Sequence, residues 1–381
     1  MSYNVLSVSN MKNCYVRYIL LMSVLISVLA FPHRLFAQQS LRYYELKETG
    51  EDQTKWIELD ENATLLTPGW TYCNQCATQV TDIGFSFCFG TQCVSQFAVN
   101  TEGQVTMGSY APSVWDHYRP LSFNGQSDSR SYENVTKISI FGRDSYFRND
   151  CHGDYFKTQL IGSAPNRIRV IEVQTRDYYA GNYCNAPDRT LKYQLQLYEG
   201  TNEVRLVYGE AFTGVMPADI CYQVGLRDKL DATWEVFYID DDHNAGYTTA
   251  DYTAERSANN HWPGSWRYYH IAPIAAPPMH VWFRDVKPNQ ATIAWDRTTN
   301  AAKWELEFGK GAYGDAGNTR QIVTDTSRLF ANLDPETEYH VYIKTILANG
   351  EESELLDTTF MTACAAISRN DMPWGENFDE F

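Results

Sequence analysis

The sequence predicts an all-β fold built as a large antiparallel β-sandwich followed by a smaller one, and three observations predict it. Aromatic residues make up 14% of the 381 residues, with 26 Tyr and 10 Trp, whereas charged residues are only 20%. That balance suits pleated, half-buried surfaces better than Lys- and Glu-rich helices. Short runs alternate apolar and polar residues at period two, and Gly, Asn, Asp and Pro punctuate them. Beyond the N-terminal segment no stretch repeats apolar residues convincingly at helical spacing. A chain of this length has room for two or three domains with cores of their own.

Residues 1–37 read as a signal peptide. Lys12 and Arg17 form a basic start, Tyr18 to Phe31 is apolar, and Leu35-Phe36-Ala37 offers a cleavage site before Gln38. The apolar run falls short of the ~20 residues a spanning helix needs, so no membrane insertion is expected after cleavage. That segment holds three basic residues and no acidic one. The remaining chain therefore carries 28 basic and 47 acidic residues, a net charge of −19. A nucleic-acid partner is not expected at that charge, because phosphate binding needs a concentrated basic face.

Residues 40–270 read as one domain. Weak strand signals at Leu41–Leu46 and Trp56–Leu59 lead to Ile83-Gly-Phe-Ser-Phe-Cys-Phe-Gly90, with Phe85, Phe87 and Phe89 on one face. Gly90-Thr-Gln-Cys93 turns the chain into Phe97-Ala-Val99, and Asn100-Thr-Glu-Gly103 turns it again into Gln104–Met107. Further strands are expected at Lys137–Phe141, Tyr155–Ile161, Arg167–Gln174, Leu191–Tyr198, Val204–Tyr208, Val224–Leu226 and Trp234–Ile239. The run Leu195-Gln-Leu-Tyr-Glu-Gly-Thr-Asn-Glu-Val-Arg-Leu-Val-Tyr-Gly209 and the Phe-x-Phe-x-Phe-Gly hairpins resemble a β-sandwich domain of bacterial secreted adhesin-like proteins.

Residues 271–278 form a Pro-rich linker, and 279–364 a second module. Its strands are expected at Val281–Val286, Ala291–Asp296, Trp304–Phe308, Gln321–Val323, Arg328–Ala331, Tyr339–Leu347 and Asp357–Thr362. Leu333-Asp-Pro-Glu-Thr-Glu-Tyr339 runs into an alternating strand and resembles the tyrosine corner of a fibronectin type III domain. The resemblance implies an immunoglobulin-like sandwich with Trp295 and Tyr339 in its core. Residues 365–381, ending Glu376-Asn-Phe-Asp-Glu-Phe381, resemble the opening of a jelly-roll module of the MAM or cleaved-adhesin kind. Such a roll needs eight strands and this tail supplies at most one. It is therefore expected to be a truncated start, loosely held, with Cys364 lacking its intended partner.

Eight Cys follow the signal segment, and export favours disulfides. Cys88 and Cys93 flank a tight hairpin and are expected to pair. Cys151 and Cys184 lie beyond the open end of another hairpin, and Cys73 with Cys76 forms a third candidate pair. The spacing of Cys73-x-x-Cys76 and Cys88-x4-Cys93 also suits a four-thiolate zinc site, a reading that oxidising conditions disfavour.

Chemistry-bearing residues are sparse. Asp240, Asp242, Asn244 and Asp251 have the spacing of a calcium loop, although Gly246 falls one place late and no helices flank it. Apart from this calcium, no cofactor is expected. Trp262, Trp266 and Tyr268 suggest an aromatic ligand platform; the competing reading is a closing strand that buries Trp266 and Tyr268. Cys151-His152 lacks a third orienting group, and Glu172 and Glu199 are the available carboxylates for a glycosidase-like pair. No phosphate loop, HExxH or GxSxG motif occurs. The expected role is a non-catalytic, secreted or cell-surface protein that recognises an extracellular protein or glycan. The rival is the substrate-targeting portion of a secreted hydrolase.

Overall fold

The structure is a computed structural model that describes residues 39–74, 76–111, 121–122, 136–142, 145–177, 190–210, 221–230, 233–251, 256–257 and 264–365. Two hydrophobic cores are separate, one for each sandwich.

In the N-terminal sandwich a nine-stranded sheet faces a seven-stranded one. The larger sheet runs Tyr44–Glu51, Arg267–Pro273, Val204–Tyr208, Thr190–Tyr198 and Ile168–Asp177. The last of these pairs along its free edge with Tyr155–Ile161 and then Ser145–Arg148. The smaller sheet runs Ala245–Thr248, Thr233–Ile239, Val224–Leu230, Lys137–Ser139, Gln104–Met107, Gln92–Val99 and Thr81–Phe89. All of this pairing is antiparallel. Ile83, Phe85, Phe87 and Phe89 of one sheet meet Ile171, Val173, Tyr193, Leu195 and Leu206 of the other in a single core.

Sequence and structure differ at identifiable places. Trp56–Leu59 is not a strand. It belongs to a strap across the outer face of the larger sheet, where Ile57 and Gln194 exchange hydrogen bonds and Gln196 donates to the Lys55 carbonyl. Those two glutamines are fully buried, so their amides substitute for the sheet partner this face lacks. Asn149–His152, which no strand or helix signal marks in the sequence, forms one helical turn closed by Gly153 in the left-handed region. The closing strand continues to Pro273, three residues into the expected linker.

Gly90, at φ 56°, shows why a glycine ends the Phe-x-Phe-x-Phe run. A Cβ there would stand 2.1 Å from Oδ2 of Asp228. Asp228 is 2% exposed; it accepts from the Thr91 amide at 2.6 Å and from the Thr136 hydroxyl. Desolvation raises its pKa, although those hydrogen bonds pull the other way. Glu235 plays a similar part, accepting from Ser40 Oγ, the Leu41 amide and Tyr247 Oη, and so tying the chain before the first strand to the smaller sheet.

The C-terminal sandwich pairs Val281–Lys287, Gln290–Trp295 and Ser327–Ala331 in one sheet. Thr319–Val323, Ala301–Gly309, Glu338–Leu347 and Leu356–Met361 form the other. All seven expected strands are present. Tyr339 is buried, and its hydroxyl accepts the Asp334 amide at 2.9 Å, the bond expected of a tyrosine corner. Asn202 Nδ2 donates to Asn300 Oδ1 at 2.8 Å, a direct contact between the sandwiches, and in the linker the Ala275 amide donates to Glu351 Oε1 at 2.8 Å.

Candidate functional site

The expected ligand residues fall into three groups. In the first, Asp240 closes a hairpin turn, its Oδ1 accepting the amides of Asp242 and Asn244 at 3.0 and 2.8 Å. Asp251 instead accepts from Ser122 Oγ at 2.8 Å. Among the described residues no three His, Cys, Asp or Glu side chains are placed to hold a metal, so Asp240, Asp242 and Asp251 do not converge with Asn244 on a calcium ion. The spacing belongs to a self-capped turn, because a short aspartate satisfies its own backbone amides first.

The second group is the aromatic cluster. Trp262 lies outside the described residues. Trp266 and Tyr268 do come together, with Trp56 from the strap as third member, and Trp56 meets Trp266 edge-on at 6.1 Å between centroids. Trp56 and Tyr268 are buried, with Lys192 Nζ 4.8 Å from the Trp56 centroid and Lys55 Nζ 5.0 Å from that of Tyr268. These are ordinary cation–π distances. The described rings form a closed cluster under lysine cover, not an open platform, because the strap docks there.

The carboxylates form the third. Glu172 is buried beneath the strap and accepts from Tyr155 Oη at 2.5 Å and Gln194 Nε2 at 2.8 Å, with Lys192 Nζ at 3.4 Å. Burial, and then this carboxylate, push the Tyr155 hydroxyl pKa well above its ordinary value. Glu199 makes a two-pronged ion pair with Arg167, at 2.7 and 2.6 Å. That pairing lowers its pKa. Both carboxylates are engaged within the fold.

Of the cysteines, Cys88 pairs with Cys93 across the expected hairpin and Cys73 with Cys76. Cys151 is disulfide-bonded, while Cys184, its expected partner, lies outside the described residues. Cys364, expected to lack its intended partner, is disulfide-bonded too.

One concave surface went unrecognised in the sequence. Where the strand Gln92–Val99 runs on past the end of Gln104–Met107, a cleft of about 340 Å3 opens. Val94 and Met107 supply apolar lining. Around them stand Gln92, Ser95, Gln96, Ser109, Tyr110 and Thr136. Gln92 Nε2 donates to Thr136 Oγ1 at 2.6 Å, and that hydroxyl donates to buried Asp228, so a relay from the interior fixes Gln92. Gln96 Nε2 is held by Asp82 at 3.1 Å, and the Gly108 amide is tied to the Gln96 carbonyl at 2.7 Å. Tyr110 is 62% exposed. No signal short of the strand register places these residues together, since isolated Gln and Ser on strands read as surface.

A family model described as NIDO related matches residues 47–273, more than half of the chain and nearly all of the N-terminal sandwich. The chain belongs to the NIDO-related family. The NIDO-related sandwich is thus the part that holds both the strap and the cleft. Solved structures resemble smaller portions. A fibronectin type III domain of human collagen alpha-1(XX) is 21% identical and covers 26% of this chain and 93% of that one, at a TM-score of 0.23. A redesigned β-sandwich protein is 23% identical over 24% and 94%, at 0.22, and a structure described as a myokine is 23% identical over 23% and 97%, at 0.20. No curated protein matches. Among the described residues no helix is long and apolar enough to cross a membrane.

Proposed function

We propose that this NIDO-related chain is a secreted or cell-surface, non-catalytic binding protein that recognises an extracellular glycan or protein. The observation that carries the reading is the engagement of the candidate carboxylates. Glu172 is walled in by Tyr155, Gln194 and Lys192, and Glu199 is clamped by Arg167. A hydrolytic pair needs two carboxyl groups facing one substrate about 5–10 Å apart, whereas these two serve the sheet. Disulfides on the Phe-x-Phe-x-Phe hairpin and beside it suit an oxidising, extracellular setting. The test is retention of the purified secreted chain on arrays of glycans and extracellular proteins, run beside chromogenic glycosidase and protease assays. Retention without turnover is expected. Turnover that disappears in Glu172→Gln while melting is unchanged would overturn the reading.

A further inference from the structure

We propose that the cleft beside the strand Gln92–Val99 is a subsite for a neutral, hydroxyl-rich saccharide unit, an inference that rests on the binding reading above. Its volume, about 340 Å3, falls within the ~300–1,000 Å3 of small-molecule clefts. Among the described residues no Asp, Glu, Lys, Arg or His lines it. An anionic ligand meets no countercharge there and approaches a chain whose net charge is −16 even with its N-terminal segment included. A cation finds no carboxylate among the described residues of the wall. What the wall offers is amides and hydroxyls. Among the described residues the Ser95 and Ser109 hydroxyls and the carbonyl oxygens of the Gln92 and Gln96 side chains have no hydrogen-bond partner. They stand beside one exposed phenol ring, Tyr110, with no ring partner among the described residues.

That combination matches a sugar. A pyranose presents hydroxyls at its edge and a patch of C–H groups on its face, and a flat aromatic ring accepts the face while amides take the edge. The site is also stiff in advance. The Asp228–Thr136–Gln92 relay fixes one wall, and Asp82 with the Gly108 amide fixes Gln96. Little side-chain entropy is then left to lose on binding. This places recognition on the sheet opposite the one that carries Tyr268.

The experiment uses the purified secreted chain and four neutral trisaccharides: cellotriose, maltotriose, mannotriose and N,N′,N″-triacetylchitotriose. Sialylated and sulfated trisaccharides serve as charged counterparts. Saturation-transfer NMR reads contact and calorimetry reads affinity. Two variants probe the cleft, Tyr110→Ala to remove the platform and Ser95→Trp to fill the space. Both sites are exposed, so melting should hold, and it is measured alongside. Saturation transfer to at least one neutral trisaccharide is expected, with affinity weakened about tenfold or more in both variants. Three results overturn the inference: no transfer to any neutral trisaccharide, binding of charged ones alone, or affinity unchanged in both variants. If the wild-type chain is retained on arrays and the variants equally so, only the cleft assignment falls. A protein ligand lost in Tyr110→Ala overturns the saccharide class and leaves the binding reading standing. Absence of retention on every array removes the binding reading itself.

Discussion

In the C-terminal sandwich, Phe308 stacks on Phe330, Tyr339 and Phe360 at centroid distances of 4.1, 5.0 and 6.1 Å, and apolar strand faces close around that stack. In the N-terminal sandwich the larger core is crossed by buried carboxylates that fasten its loops. Asp228 holds the Gly90–Thr91 turn, Glu235 holds Ser40 and Leu41, and fully buried Glu102 accepts the Ser145 amide. The two regions weight two devices for finishing a β-sandwich differently. The small one closes around a few stacked rings, with buried Glu307 accepting the Gly314 amide at one loop. A large one, with long connections to anchor, satisfies backbone amides with side-chain oxygens, because an unpaired buried amide costs about 1–3 kcal/mol.

The strongest test of that contrast is Trp304→Ala. Trp304 is fully buried and meets Trp295 edge-on at 6.1 Å. Loss of about 3–5 kcal/mol is expected for such a truncation. In denaturant titration the loss should fall on the transition of the C-terminal sandwich. An equal shift of both transitions would break the comparison and show the sandwiches unfolding as one unit.

Replacing Cys88 and Cys93 together by Ser should cost about 2 kcal/mol, the value for closing so short a loop, on the N-terminal transition alone. A smaller effect, about 1 kcal/mol, is expected of Tyr339→Phe, which strands the Asp334 amide at a partly exposed corner. Thermal melts resolve both.

The smallest effect is one of pH. Glu203 accepts from His270 Nε2 at 3.1 Å and Lys47 Nζ at 2.6 Å, and chiefly the His270 bond lowers its pKa from 4.5 to about 2. Its contribution is therefore complete above pH 4.5 and is lost as pH falls toward 2. Solvent screening keeps it below about 1 kcal/mol. Glu203→Gln should flatten this acid limb of the N-terminal stability curve. A limb unchanged in the variant would assign the acid sensitivity to other carboxylates.

What the sequence determined by itself is local. Period-two runs such as Phe85-Ser-Phe-Cys-Phe89 and Tyr339-His-Val-Tyr-Ile343 set their strands and the faces they bury, because alternation follows from the pleat. Leu333-Asp-Pro-Glu-Thr-Glu-Tyr339 set its corner, since the hydrogen bond it needs spans five residues. Cys88 and Cys93 were legible as a pair for the same reason. The tertiary structure alone decided which polar residues act on one another. Asp228 and Thr91 lie 137 residues apart, and Glu235 and Ser40 lie 195 apart. Only sheet order and register bring such partners within 3 Å. The same register covers Trp56 and Tyr268 with lysines and leaves Tyr110 beside Gln92 and Gln96. Spacing along the chain records neither, because a strand's alternation says which face a residue takes and not what stands opposite it.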